Sequence, residues 1–214
     1  MGRFMRRFAM AVNAVGMAAA ALAFAWARGE PGAWALAWAL ALWAAAELQI
    51  GLFRSYQGVV PRDRLVAAAR GGWLLAAIYT WLDAWHGWTR LALPAPAVLG
   101  ATALVAGGAL LRGWAVAALG PSFSYDVKRP AGGLIVQTGP YRWIRHPAYL
   151  GLCLASIAPG LALGSVVGFL ALLAATLVAT LGRLVAEERL LAAELGEPWR
   201  AYAARTWRLL PFVY

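Results

Sequence analysis

Apolar residues come in long blocks along this chain, and short polar clusters separate them. Phe8–Ala27, Gly32–Phe53, Gly71–Trp88 and Ala95–Leu119 are four such blocks, and Ala148–Ala162 and Ser165–Leu181 are two more. Blocks that are apolar on every helical face predict membrane-spanning helices. The fifth is short for a span of about 20 residues. Between it and the sixth stand Pro159-Gly160 and Gly164-Ser165, too tight for anything but a helical hairpin. Beyond the sixth the pattern changes. Leu184, Leu191 and Leu195 share one helical face, while Glu187, Glu188 and Glu194 lie off it. Gly196 ends that helix, and Pro198 suits the first position of another running to about Arg205, with Trp199 and Tyr202 on one face. Pro211 closes the segment. The expected fold is all-α: one polytopic membrane bundle of about six transmembrane helices, the last two a hairpin, followed by short C-terminal helices.

Composition agrees with that class. Hydrophobic residues make up 63% of the 214 positions and charged residues only 13%, too apolar for a soluble domain of this length. The net charge of +10 is spread over the loops between apolar blocks, which excludes a nucleic-acid footprint and fits a bilayer as partner. The single cysteine, Cys153, forms no internal disulfide. Phe8–Ala27 ends in Ala25-Trp26-Ala27, which imitates a signal cleavage site. Its 20 residues exceed the roughly 7–15 of a signal core, so a retained helix is expected.

Loop charges set the orientation. Arg3, Arg6 and Arg7 precede the first block, Arg54, Arg62, Arg64 and Arg70 follow the second, and Lys128, Arg129, Arg142 and Arg145 follow the fourth. The tail carries Arg183, Arg189, Arg200, Arg205 and Arg208, whereas the alternate loops hold only Arg28 and Arg90. The positive-inside rule then places both termini on the cytoplasmic side of the cell membrane, together with the fourth-to-fifth loop and the tail.

That loop contains Gln137 to Gly151, QTGPYRWIRHPAYLG, a polar and aromatic knot at the mouth of an apolar helix. Such a cluster is costly to place there and is the first candidate for a site. Gly139-Pro140 marks a turn, and Pro147 opens a helix at about Ala148. Arg145 and His146 thus meet the free N–H groups and positive dipole of a helix N-terminus. Elsewhere, Glu47 and Gln49 near the inner end of the second block and Arg112 near that of the fourth are intramembrane polar groups, and Glu47 calls for an arginine partner. Asp83, His86 and the neighbouring tryptophans read as an interfacial cluster, and no metal-ligand spacing is present. Gly132-Gly133 is a turn rather than a dinucleotide fingerprint.

The two informative stretches together resemble the isoprenylcysteine carboxyl methyltransferase family and its membrane relatives, including phospholipid N-methyltransferases. The resemblance rests on Gly139-Pro140-Tyr141 followed by Arg145-His146-Pro147-x-Tyr149-x-Gly151. A helical hairpin comes next, then Glu187-Glu188-x-x-Leu191, and Gly196 followed by Tyr202, Arg205 and Pro211. Leu119-Gly120 with Ser122-Phe123-Ser124 also resembles bacterial members. The match covers about residues 110 to 214, making 1–94 the N-terminal transmembrane helices and 95–214 the catalytic core of one domain, 1–214. Membrane sterol reductases using NADPH share His-Pro-x-Tyr but usually place Asn before the Tyr and an acid after the Gly, where Ala148 and Leu152 stand here. A non-enzymatic membrane scaffold is the third class in play. Trp199 stands where the prenylcysteine enzymes commonly carry Tyr, so the acceptor stays open.

The resemblance implies S-adenosylmethionine as methyl donor, S-adenosylhomocysteine as product, no metal, and a lipidic or amphipathic acceptor. Cofactor-binding candidates are Gln137, Gly139, Tyr141, Arg145, His146, Tyr149, Glu187 and Glu188. Tyr141 or Tyr149 can pack on adenine, with backbone groups around Gly139 and His146 at its edge. Arg145 can hold the carboxylate in bidentate fashion, and Glu187 or Glu188 the ribose or ammonium. Catalytic candidates are Arg205 to orient an anionic acceptor, and Glu188 or Tyr202 for proton handling with a thiol or amine. A lipidic acceptor can arrive sideways, between helices. Gly107, Gly108, Ala148 and Gly151 either leave a gap for it or allow close packing.

Overall fold

The computed structural model describes residues 31–53, 64–123 and 135–212 together with most positions from 15 to 29. Arg3, Arg6, Arg7, Arg28, Arg54, Arg62, Ser124, Lys128, Arg129 and Gly132-Gly133 lie outside the described residues, as does the side chain of Gln49. The described positions of the first apolar block are helical up to Ala27, and Ala21 and Ala25 are buried in the core. Six helices follow: α1 Pro31–Phe53, α2 Arg64–His86, α3 Ala95–Leu119, α4 Pro147–Ala162, α5 Val166–Leu195 and α6 Glu197–Ala204. Among the described residues no strand forms, and α3 and α5 are long and apolar enough to cross a membrane. Shorter apolar runs are Gly32–Leu48 within α1 and Pro147–Ala162, which is α4.

Helix α2 begins at Arg64, seven residues before its apolar block. The hairpin also differs from the sequence expectation. Pro159-Gly160 lies inside α4, and the chain reverses at Leu163–Ser165, where Gly164 takes φ 70°. A Cβ on Gly160 would stand 2.6 Å from the Phe169 Cα, so the glycine is what lets α4 and α5 close against each other. Ser165 caps α5 by accepting from the Gly168 amide at 3.1 Å.

The helix α5 runs unbroken for 30 residues. At 1.5 Å per residue it is ~45 Å long, against a hydrocarbon core of about 30 Å, so it is longer than a membrane crossing needs. Helix α4, with 16 residues, reaches only ~24 Å from the same turn. The knot that precedes it therefore lies nearer the shared turn than the far end of α5 does.

Two polar ties hold the bundle. At the hairpin end Asp83, with 0% exposure, accepts from the Thr89 amide and hydroxyl, both at 2.6 Å, and from the Ser165 hydroxyl. It joins the end of α2 to the α4–α5 turn, so it is a structural staple rather than part of an interfacial cluster. At the other end Arg112 of α3 pairs in bidentate fashion with Glu47 of α1 and donates to the Ala148 carbonyl at 3.2 Å. Glu47 thus has the arginine partner that its position in an apolar helix demands.

Gly108 of α3 and Gly151 of α4 do not leave a gap, whereas Gly107 is exposed with open space beside it. A Cβ on Gly108 would stand 2.7 Å from the Gly151 carbonyl oxygen, and one on Gly151 2.5 Å from that of Gly108. These two glycines let the backbones touch, and the seam between α3 and α4 is closed.

Candidate functional site

The site is built where the knot meets the C-terminal tail. Gly139, at φ 59°, starts a 3-10 turn over Gly139–Arg142 and packs under the side chains of Trp114 and Ala118. A Cβ there would meet both at 3.3 Å. The turn buries Tyr141, and its carbonyl accepts from the Tyr202 hydroxyl at 2.8 Å. His146 occupies the N-cap of α4 and Pro147 its first turn, as the sequence predicts.

The tail lies back across the knot as a strap. Trp207 donates its amide to the Trp143 carbonyl at 2.8 Å and accepts from the Arg145 amide at 2.7 Å, and the His146 amide donates to the Arg208 carbonyl at 3.2 Å. Side chains lock this arrangement. Arg145 donates from Nε to Glu188 at 2.9 Å and from Nη1 to the carbonyls of Ala203 and Thr206. His146 Nε2 lies 3.2 Å from the same carboxylate oxygen, and Arg208 reaches the other at 2.7 Å. Glu188 is 13% exposed and thus meets three basic side chains. Burial opposes its ionisation, but the hydrogen bonds and charges of His146 and Arg145 outweigh burial and bring the carboxyl down to about 2.

Its neighbour Glu187 has a different environment. Tyr149 donates to one oxygen at 2.6 Å, and Arg183, one turn before on α5, donates to the Tyr149 hydroxyl at 2.7 Å. The other carboxylate oxygen has no partner among the described residues. Burial, with the charge of Glu187 adding to it, pushes the Tyr141 phenol up. Burial raises Tyr202 to about 12 against the opposing charges of Arg145 and Arg205, so both phenols stay neutral at physiological pH. Arg205 is exposed at the end of α6 and donates to the Gln137 side chain.

The predicted residues are therefore brought together: Gln137, Gly139, Tyr141, Arg145, His146, Tyr149, Glu187, Glu188, Tyr202 and Arg205 all lie on the knot or the elements that pack on it. Sequence reasoning missed three participants. Arg183 precedes Glu187 by four residues, a spacing that marks it. Arg208 and the strap pairing of Trp207 have no local signal. Among the described residues no group of three metal-ligating side chains occurs.

Comparison with known proteins gives this site its class. The sequence model of the isoprenylcysteine carboxyl methyltransferase (ICMT) family matches residues 101–193, which span the knot, the hairpin and Glu187-Glu188. The fold is similar to the solved structure of a eukaryotic intramembrane Ras methyltransferase, ICMT, at 20% identity and a TM-score of 0.60. That likeness covers 86% of this chain and 68% of the other. No curated protein matches the chain by sequence. Both comparisons point to the same class, the membrane methyltransferases. Over residues 101–193 the chain is similar to the isoprenylcysteine carboxyl methyltransferase family.

Proposed function

We propose that this chain binds S-adenosylmethionine between the knot and the tail, on the cytoplasmic side of the cell membrane, and methylates a lipidic or amphipathic acceptor with an anionic head. The observation that carries this reading is the unequal state of the paired acids. Glu188 is consumed in holding Arg145, His146 and Arg208 together. Glu187 keeps one oxygen for a ligand, with Tyr149 and Arg183 orienting the rest of the carboxylate.

The donor set fits the cofactor. Glu187 offers a carboxylate to an ammonium or ribose hydroxyl, Gln137 an amide, and the Gly139 turn a backbone approached closely by Trp114. When bound, the cofactor supplies an electrophilic sulfonium methyl. The chain supplies position and exclusion of water, since methyl transfer needs in-line approach more than proton transfer. Arg145 fixes the strap, with its fork on Glu188 and the carbonyls of Ala203 and Thr206. Among the described residues the Arg205 side chain hydrogen-bonds only Gln137, and it presents a cation to an acceptor carboxylate. A carboxylate is already the nucleophile, which removes the need for a base. The neutral phenol of Tyr202, engaged with the Tyr141 carbonyl, supports the wall of the site instead.

The short α4 sinks the knot to the bilayer edge, which lets a lipid acceptor present its head without leaving the membrane. Access through the α3–α4 seam is closed by Gly108 and Gly151, so the acceptor approaches along another helix seam. The test is methyl transfer from labelled cofactor to a panel of prenylated or acylated carboxylates, thiols and amines, with thermal shift by S-adenosylhomocysteine and NADPH run beside it. Transfer to the carboxylates and stabilisation by the homocysteine product are expected. Stabilisation by NADPH alone overturns the assignment, and transfer only to amines overturns the acceptor class.

A further inference from the structure

The strap has two faces, and only one of them is explained by the site. Thr206 and Leu209 point inward, each 8% exposed, and Arg208 reaches Glu188. Trp207, Leu210 and Phe212 are 42%, 46% and 86% exposed, and the Trp207 and Phe212 rings pack at a tilt with centroids 5.3 Å apart. Beside them, across the backbone pairing, the Arg142 guanidinium lies 4.5 Å from the centroid of the half-exposed Trp143 ring. Among the described residues no carboxylate pairs with Arg142.

Depth identifies what covers this edge. Trp143 lies four residues before α4, whose limited length places its start at the rim of the apolar layer rather than above it. The strap is hydrogen-bonded to residues 143–146 and shares that depth. Tryptophan and phenylalanine with an arginine beside them are what the headgroup layer accommodates: rings at the acyl boundary, the cation against phosphate.

We propose that Trp207, Leu210 and Phe212, with Arg142, form a footing in the headgroup region of an anionic phospholipid leaflet, so that the membrane itself holds the strap closed over the knot. The proposal rests on the membrane placement of the knot and does not require methyl transfer.

The full chain carrying Phe212→Cys is labelled with a polarity-sensitive fluorophore without denaturant, the unsubstituted protein serving as control because its one thiol, Cys153, is buried. The protein is placed in nanodiscs of phosphatidylcholine alone or mixed with phosphatidylglycerol. Arg200→Cys on α6, whose native side chain is 70% exposed, reports a water-facing position. Acrylamide is expected to quench position 212 several-fold less than position 200, and nitroxide lipids labelled near the headgroup to quench 212 strongly. Phosphatidylglycerol is expected to increase the shielding, and Arg142→Gln to remove that increase. Equal acrylamide quenching at 212 and 200 in both compositions, repeated with Leu210→Cys, overturns the footing. Shielding indifferent to phosphatidylglycerol and to Arg142→Gln overturns its anionic character.

Discussion

Replacement of Glu188 by alanine tests the central feature of the site. The substitution removes one carboxylate from between Arg145, His146 and Arg208 and leaves their charges facing one another. Arg145 retains the Ala203 and Thr206 carbonyls, so it is not stranded. Breaking a largely buried pair from one side costs about 3–5 kcal/mol, and the remaining carbonyl bonds argue for the lower end, about 3. For a chain of this size each kcal/mol moves Tm by about 2–4 °C, so a fall of roughly 6–12 °C is expected. The pH dependence follows from the same carboxyl. It titrates near 2 in the folded chain and near 4.5 in the unfolded one. Its stabilisation is complete above about pH 5 and is lost as the pH falls from there towards 2, a window that Glu188→Ala should erase. Hydrogen exchange adds a local readout: the Trp207 and Arg145 amides, both bonded across the strap, should lose protection. Cofactor affinity should fall with them, since the strap is one wall of the site. An unchanged Tm together with retained protection at Trp207 would refute the clamp and return Glu188 to the list of direct ligands.

Three further outcomes are expected. Glu47→Ala removes the bidentate partner of Arg112 at the knot end of the bundle and should cost about 3 kcal/mol, while the double change with Arg112→Met should be less harmful than the single one; calorimetry of the cycle decides this. Gly151→Ala forces a Cβ to 2.5 Å from the Gly108 carbonyl oxygen and 2.7 Å from the Arg112 amide, so α3 and α4 must part; expression with a Tm within 2 °C of the unsubstituted protein, about the shift for 1 kcal/mol, would show that the seam is not close-packed. Arg205→Ala should lower turnover with a carboxylate acceptor by about 10–100-fold, matching the loss of one charge-assisted bond of about 1.5–3 kcal/mol, with cofactor affinity kept in a calorimetric titration.

Much of this protein is determined by local sequence. Long apolar blocks commit the chain to membrane helices because their backbone groups have no other partner in lipid. Gly139-Pro140, His146-Pro147 and Gly196 place the turns and helix starts of the site, since φ 59° and 58° at the two glycines and a proline at the first helical position are properties of single residues. Glu47 in an apolar helix demanded a cation for the same reason: an isolated charge in hydrocarbon is too costly to keep. What the tertiary structure decided are the meetings between distant segments. Glu187 and Glu188 are adjacent on one helix and alike in sequence, yet their directions differ by about a hundred degrees around the axis. One meets Tyr149 and Arg183, the other Arg145, His146 and Arg208. Asp83 reads as an interfacial residue until the α4–α5 turn brings Ser165 against it. Gly108 and Gly151 permit either a gap or a contact, and only the facing of α3 on α4 selects contact. Residue type sets what a group needs; the partner that meets the need comes from another part of the chain, at a distance that no local pattern encodes.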